Sequence, residues 1–282
     1  MILSASAIVH AVVFGAACMV MQAAPSILVH GHRGARAMRP ENTLPAFRYA
    51  VAEGVDALEL DIAVTRDGVP VVSHDPVLQP PVCSNPDMKS AAIHTLTLAE
   101  VREWDCGAIR NPRFPRQQTL PGTRMPTLEE VFDLAPLGAF DFNIETKIFA
   151  AKPELAPTPE EFVRLVLAAV RKHKLEKRVI LQSFDFRTLL EMKRLAPEIR
   201  TSALIEGSPR DFVEVAREAK ADIVSPQFAM VTPELVAAAH RAHIQVVPWT
   251  ANEPKEWAPL IAAGVDAIIS DDPAALIAYL KK

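Results

Sequence analysis

Short runs of hydrophobic residues alternate with amphipathic segments from residue 27 to the C-terminus. These runs are apolar on both faces, which is typical of strands in a parallel sheet covered by helices and not of a one-sided antiparallel sheet. We predict nine strands, at residues 27–32, 57–64, 69–74, 140–147, 179–182, 201–205, 222–225, 244–249 and 267–270. No change of composition indicates a linker between them, so the pattern predicts a single α/β domain.

Signals for helix starts and ends stand between these strands. Thr97 and Thr127 each precede a glutamate by three residues, which is the capping-box pattern. Proline is tolerated as the first helical residue because its missing N–H would have no partner there. Four pairs of a capping residue and a proline therefore predict further helix starts, at 158–159, 208–209, 232–233 and 272–273. Gly54 and Gly264 follow apolar helical stretches and predict helix ends.

Nine strands are one too many for a (β/α)8 barrel. Only residues 65–68 separate the predicted strands 57–64 and 69–74. Four residues are too few for a helical crossover, so these two strands are predicted to form an antiparallel hairpin, and eight parallel strands remain. We therefore predict a single (β/α)8 TIM barrel over residues 25–282. The proline-rich, irregular segment at about 76–125 is interpreted as a small insertion after the hairpin.

The composition is that of an ordinary globular protein, with 282 residues, 23% of them charged, and a net charge of −4. The chain shows no basic cluster, so nucleic acid is not an expected partner. The first 31 residues contain no Lys, Arg, Asp or Glu, and Ala23-Ala24 could form a cleavage site. This pattern predicts a signal peptide at residues 1–24, and a periplasmic or secreted protein with no membrane span after cleavage. A retained membrane anchor and a buried first helix are the alternatives, because a basic start is missing and His10 interrupts the apolar run.

Cys83 and Cys106 both lie in the segment after the hairpin. In an exported protein, two cysteines so placed predict a disulfide. The bond would tie the proline-rich loop to the helix that Thr97 caps, at whose end Cys106 is predicted to lie. Two separately buried thiols are the alternative.

Three carboxylates are predicted to face the interior of the barrel. In residues 57–64, alternation places Glu59 and Asp61 on the face opposite the leucines, and in residues 140–147 it places Glu145 beside Lys147. Carboxylates brought together in a barrel would repel one another unless a cation joins them. Ligation by oxygen alone favours Ca²⁺ or Mg²⁺ over zinc. The alternative is a set of structural salt bridges with Arg33 and Lys147.

Two histidines are predicted to lie at the rim where barrel active sites occur. His32 ends the first predicted strand and His74 ends the hairpin, so both could act as general acid and base. His30 lies on the same face one layer deeper, and we interpret it as a hydrogen-bonded core residue. Four other histidines have no such context and are interpreted as packing or surface residues: His94, His173, His240 and His243.

Taken together, these residues resemble the motifs of the glycerophosphodiester phosphodiesterase family, in its bacterial exported form. The opening His32-Arg33-Gly34, the Glu59-Leu60-Asp61 segment and the block that ends in His74-Asp75 carry the first part of the resemblance. Further similar segments cover nearly the whole chain after residue 25, at 40–43, 65–68, 97–100, 125–130, 143–147, 182–184, 249–252 and 266–273. Residues 77–90 depart from the family pattern, which leaves the head-group preference open.

The resemblance implies the phospholipase C-like phosphodiesterase type of TIM barrel and a metal-dependent hydrolase of glycerophosphodiesters. The products would be sn-glycerol 3-phosphate and an alcohol. The resemblance further implies a role for each candidate residue. Glu59, Asp61 and Glu145 would hold a divalent cation, His32 and His74 would be the acid and base, Arg33 and Lys147 would hold the phosphate, and Trp249 would line the glycerol side.

Two other functions are compatible with the same residues. A phospholipase D-like enzyme acting on lysophospholipids would need an apolar entrance to the site. A non-catalytic barrel that binds phosphate-bearing ligands would be expected if a histidine or carboxylate were missing, and none is missing. The sequence does not decide between Ca²⁺ and Mg²⁺, nor which histidine is the acid.

Overall fold

The computed structural model describes residues 27–282, so the predicted signal peptide lies outside the described residues. Eleven strands occur in this range: β1 Leu28–Gly31, β2 Ala57–Val64, β3 Pro70–Val72, β4 Val77–Leu78, β5 Ala91–Ala92, β6 Asp141–Thr146, β7 Val179–Ser183, β8 Arg200–Ile205, β9 Ile223–Pro226, β10 Gln245–Val246 and β11 Ala267–Ser270. The α-helices are α1 Leu44–Glu53, α2 Leu98–Val101, α3 Leu128–Phe132, α4 Pro159–His173, α5 Phe186–Leu195, α6 Phe212–Ala219, α7 Pro233–Arg241, α8 Pro254–Ala263 and α9 Pro273–Leu280.

Eight parallel strands form a nearly closed barrel, which confirms the predicted fold. Their order is β10-β9-β8-β7-β6-β2-β1-β11, and β3 pairs with β2 outside this path. The two ends meet through backbone hydrogen bonds of 3.0 Å from Asp266 to Val246 and from Ile269 to Pro248. The pairing of β3 with β2 is antiparallel, so the predicted hairpin is also confirmed.

Alternation along the strands sorts side chains into two layers. Leu58, Leu60 and Ile62 of β2 are fully buried in the large core between the barrel and its helices. A smaller buried cluster contains Ile180, Ile223, Ala267 and Ile269 of the later strands, together with Val247, which directly follows β10. The polar residues that alternate with the core residues of β2 and β6 are therefore directed away from the helices, as the pattern predicted.

Most of the predicted helix signals are confirmed. Both capping boxes form, Pro159, Pro233 and Pro273 are first helical residues, and both predicted terminal glycines are left-handed C-caps. The start predicted at 208–209 is wrong, because α6 begins at Phe212. Asp211 caps that helix, since its carboxylate accepts hydrogen bonds from the backbone N–H groups of Val213 and Glu214.

One strand is shorter than predicted. The predicted strand at 244–249 contains only β10, at Gln245–Val246. Pro248 has no N–H to give to a ladder, although Trp249 still donates to Pro226 O at 3.0 Å. No helix within residues 27–282 is long and apolar enough to cross a membrane.

The segment between β3 and α3 contains the two short strands β4 and β5, which the sequence did not predict, and the short helix α2. It has a small core of its own, which includes Leu78, Ile93 and Trp104. Cys83 and Cys106 form a disulfide within that core, as predicted. The predicted position of Cys106 at the end of the Thr97-capped helix is wrong, because α2 already ends at Val101.

Candidate active site

A tight turn after β1 brings the first candidate residues to the rim of the barrel. Arg33 and Gly34 both have positive φ, at 49° and 82°. A side chain on Gly34 would come within 2.8 Å of Ala46, so the turn can pack against α1 only with glycine at this position. The turn directs the backbone N–H of Arg33 to Glu59 Oε2, at 2.8 Å.

The three predicted carboxylates meet at one point. Glu59, Asp61 and Glu145 are all buried, and each offers an oxygen within 4.8 Å of those of the other two. β2 and β6 pair in a register that sets Asp61 opposite Glu145. Asp61 Oδ1 lies 3.1 Å from Lys147 Nζ but accepts no hydrogen bond. Three buried carboxylates with a free oxygen fit a hard divalent cation.

Polar side chains orient two of these carboxylates. Gln182, at the end of β7, donates to Glu59 Oε1 at 2.7 Å. Asn42, which has a positive φ of 57°, donates to Asp61 Oδ2 at 2.9 Å. Neither residue was among the predicted site residues. The inward-facing position of Gln182, in register with Glu145, was a signal that could have identified it.

The same carboxylates also form the salt bridges of the alternative interpretation. Lys147 Nζ lies 2.6 Å from Glu145 Oε1, and Arg33 contacts both Glu41, at 2.6 Å, and Asp61, at 3.3 Å. The structure therefore places two cations inside the carboxylate cluster. Ion pairing and metal ligation by this cluster are compatible, because three carboxylates outnumber the two cations.

The pKa values of the cluster reflect this crowding of charge. Burial, and then the neighbouring Asp61, raise the pKa of Glu59 well above its ordinary value. Burial also raises the pKa of Glu145 to about 7, although Lys147 opposes the rise. For Asp61, burial alone would raise the pKa, but Lys147 and Arg33 outweigh it and hold the pKa well below the ordinary value. Without a further cation, therefore, the buried cluster retains protons that a bound metal would displace.

His32 and His74 both line a cavity beside the carboxylates. His32 Nε2 is 3.9 Å from Glu59 Oε2, and its Nδ1 is 2.5 Å from Asp271 Oδ1. Burial, and then Arg36, lower the pKa of His32 to about 3, so the ring is neutral at physiological pH. His74 is about one-third exposed and pairs with Asp75 through Nδ1 at 2.8 Å.

The cavity beside the carboxylates has a volume of about 380 Å³ and is lined by the predicted site residues other than Asp61. Its lining includes His32, His74, Arg33, Glu59, Glu145, Lys147 and Trp249. A second cavity of about 550 Å³ begins at His74 and Lys147 and is lined by apolar side chains, which include Phe149, Leu155 and Phe184. Trp249 packs edge-to-face on Phe184, with ring centroids 5.5 Å apart, at the boundary between the two cavities.

The other histidines have the packing and surface roles that the sequence indicated. His30 is buried, lies 3.4 Å from Asn143 Nδ2, and has a pKa lowered by burial to about 4. Outside the barrel, His94 contacts Val64 O, His173 packs on Phe132, His240 pairs with Asp266, and His243 is exposed.

The sequence profile of the Glycerophosphoryl diester phosphodiesterase family matches residues 32–275, which is most of the chain. The chain belongs to this family. A glycerophosphodiester phosphodiesterase of Caldanaerobacter subterraneus subsp. tengcongensis is 33% identical over 255 residues, which cover 90% of this chain and 98% of that relative. A relative from Bacillus subtilis that carries the same name is 30% identical over 259 residues, covering 88% of this chain and 84% of that protein.

Solved structures share the fold of this chain. A candidate glycerophosphoryl diester phosphodiesterase from Silicibacter pomeroyi superposes with a TM-score of 0.85 at 35% identity, covering 91% of this chain and 94% of that one. An Oleispira antarctica phosphodiesterase, solved in complex with the product sn-glycerol-3-phosphate, has a TM-score of 0.77 at 23% identity, with 90% and 97% coverage. The second likeness supports the fold alone.

Proposed function

We propose that this protein hydrolyses glycerophosphodiesters to sn-glycerol 3-phosphate and an alcohol, with a divalent cation held by Glu59, Asp61 and Glu145. The observation that carries the proposal is the meeting of three buried carboxylates next to a cavity that both histidines line, in a chain of this family. The presence of every one of these groups argues against the non-catalytic alternative.

The charges of the site support a phosphodiester as the bound group. Arg33 and Lys147 place two positive charges beside the three carboxylates, and Glu41 pairs with Arg33 as well. A divalent cation would add two further positive charges, which would favour binding of the negatively charged phosphodiester. We propose Ca²⁺ or Mg²⁺, because the ligands are oxygens only. When bound, the cation would polarise the phosphoryl oxygens and stabilise the charge that develops on them.

The chain's own residues would supply the proton transfers and the orientation. One of His32 and His74 would remove a proton from the nucleophile, which is water or the glycerol 2-hydroxyl, and the other would protonate the leaving oxygen. Arg33 and Lys147 would hold the phosphate oxygens. Trp249 would line the glycerol side, which leaves the apolar cavity beside His74 for the alcohol.

The site of action is proposed to be the periplasm or the exterior of the cell. Two observations support this proposal, namely the charge-free N-terminal segment and the Cys83–Cys106 disulfide. Sequencing the N-terminus of the protein purified from its host tests it. A mature protein that begins near residue 25 is expected, and an intact N-terminus in the cytosolic fraction would refute export.

The experiment for the activity measures choline release from glycerophosphocholine by metal-stripped protein, before and after Mg²⁺ or Ca²⁺ is added back. Activity should depend on the cation and should exceed that on lysophosphatidylcholine. Glu145→Gln should abolish it. Asp141→Asn is the matched control, because Asp141 begins the same strand and pairs with Arg200 at the other end of the barrel. Full activity without metal, or in Glu145→Gln, would contradict the proposal.

A further inference from the structure

Asp271, in the loop after β11, has a buried carboxylate that contacts three side chains. Its Oδ1 lies 2.5 Å from both His32 Nδ1 and Arg36 Nε. Its Oδ2 lies 3.2 Å from an Arg36 terminal nitrogen and 2.9 Å from Asn252 Nδ2. Asp271 is only 4% exposed, so these contacts satisfy the carboxylate in place of water.

The identity of these partners fixes where the His32 proton lies. Both arginine nitrogens can only donate hydrogen bonds. Asn252 is also oriented as a donor, because its Oδ1 accepts from the Asp271 backbone N–H at 2.8 Å. Three donors from Arg36 and Asn252 require both Asp271 oxygens to be acceptors. Burial alone would raise the pKa of Asp271, but His32 and the Arg36 guanidinium outweigh it and hold the pKa well below its ordinary value, so the carboxylate is ionised. An ionised carboxylate can only accept hydrogen bonds, so His32 Nδ1, at 2.5 Å from it, carries a proton.

The arginine that helps to hold Asp271 is itself fixed by the insertion. Phe114 stacks on Arg36, with 5.0 Å from the guanidinium carbon to the ring centroid. Gln117 donates to Arg36 O at 2.8 Å. Arg36 is 9% exposed, so packing restrains the whole guanidinium. The segment after the hairpin therefore contributes to the position of a group beside His32.

We propose that Asp271 is a positioning residue, which holds the proton of His32 on Nδ1 and thereby presents Nε2 as the atom that exchanges protons with the substrate. Nε2 is the ring nitrogen near Glu59 Oε2 and the carboxylate cluster. The inference rests on the proposed function. It extends that function, because neither Asp271 nor Arg36 was among the predicted site residues.

Asp271→Asn tests this role, because an amide presents an NH2 group where the site supplies only donors. The His32 ring is then free to turn or to change its tautomer. We expect kcat to fall by about 10²-fold, at the low end of what a misplaced acid–base group costs, with KM little changed. Asp272→Asn is the matched control. Asp272 is the next residue and is equally buried, but it caps α9 and pairs with Arg116, so kcat should be unchanged.

Nitrogen-15 NMR of labelled histidine gives a second readout that needs no turnover. In the wild-type protein the His32 signals, assigned by their absence from His32→Gln, should show a protonated Nδ1 and an unprotonated Nε2. In Asp271→Asn both tautomers of His32 should be populated, so each ring nitrogen should be partly protonated. A wild-type His32 protonated on Nε2 alone would overturn the proposal even if Asp271→Asn failed to fold. An Asp271→Asn protein with the wild-type kcat would also overturn it, whereas an inactive wild type would refute the proposed function instead.

Discussion

Removal of the Cys83–Cys106 disulfide is expected to destabilise the protein through its unfolded state. The bond closes a loop whose ends are separated by 23 residues. Inside this loop the regular structure is limited to short elements, among them the two-residue strand β5 and the four-residue helix α2. A segment with so little regular structure gains little stability from local hydrogen bonds, so the covalent link matters more to it.

The size of the effect follows from the length of the loop. A cross-link across 23 residues removes chain entropy worth about 3.4 kcal/mol at 25 °C in the loop-closure model. Both cysteines are nearly fully buried beside Leu78 and Trp104, so their replacement also removes apolar contacts. Alanine is the better replacement, because serine would bury a hydroxyl group.

The assay is urea unfolding of the wild type and of the double variant Cys83→Ala/Cys106→Ala, followed by tryptophan fluorescence. Trp104 is fully buried within the same small core and reports on it. The free energy of unfolding should fall by about 3 kcal/mol, and the m-value should rise because the open chain exposes more surface. A reductant should destabilise the wild type in the same way and leave the double variant unaffected.

Two results would refute this reasoning. The first is a loss below about 1 kcal/mol, which would mean that the unfolded chain keeps the loop ends together without the bond. The second is an equal effect of reductant on the wild type and on the double variant, which would trace the loss to something other than this disulfide.

Three further predictions concern the site. Gln182→Ala should weaken metal affinity about 10–100-fold, because the loss of its hydrogen bond frees the Glu59 side chain to turn. Calorimetric titration with Mg²⁺ or Ca²⁺ measures this affinity, and an unchanged value would contradict the orienting role of Gln182. His74→Gln should lower kcat by about 10²–10⁴-fold while metal affinity stays the same, and a near-normal rate would remove His74 from the mechanism. The folded-state pKa of Glu145, about 7, lies above the ordinary value of 4.5. Metal-free wild type should therefore lose stability relative to Glu145→Gln as pH rises from about 4.5 to 7, whereas parallel unfolding curves would show that the pKa is not raised.

The architecture and most of the candidate site could be predicted from the sequence, because both follow from local periodicity. Alternation within 57–64 and 140–147 was enough to direct Glu59, Asp61 and Glu145 to one interior. The four-residue connection at 65–68 was enough to remove one strand from the barrel, since a short chain cannot make a parallel crossover. Capping residues and terminal glycines act within one turn, so most helix limits could also be predicted.

Which side chains support those groups depends on the tertiary fold. Asp271 and His32 are separated by 239 residues, and Gln182 and Glu59 by 123. Each pair meets because the barrel nearly closes and its strands have one register, and no local pattern encodes either condition. The sequence therefore predicted which groups face the site, whereas the nearly closed barrel brings together the partners that hold them. The physical reason is that hydrogen-bond partners are set by distances in space and not by distances along the chain.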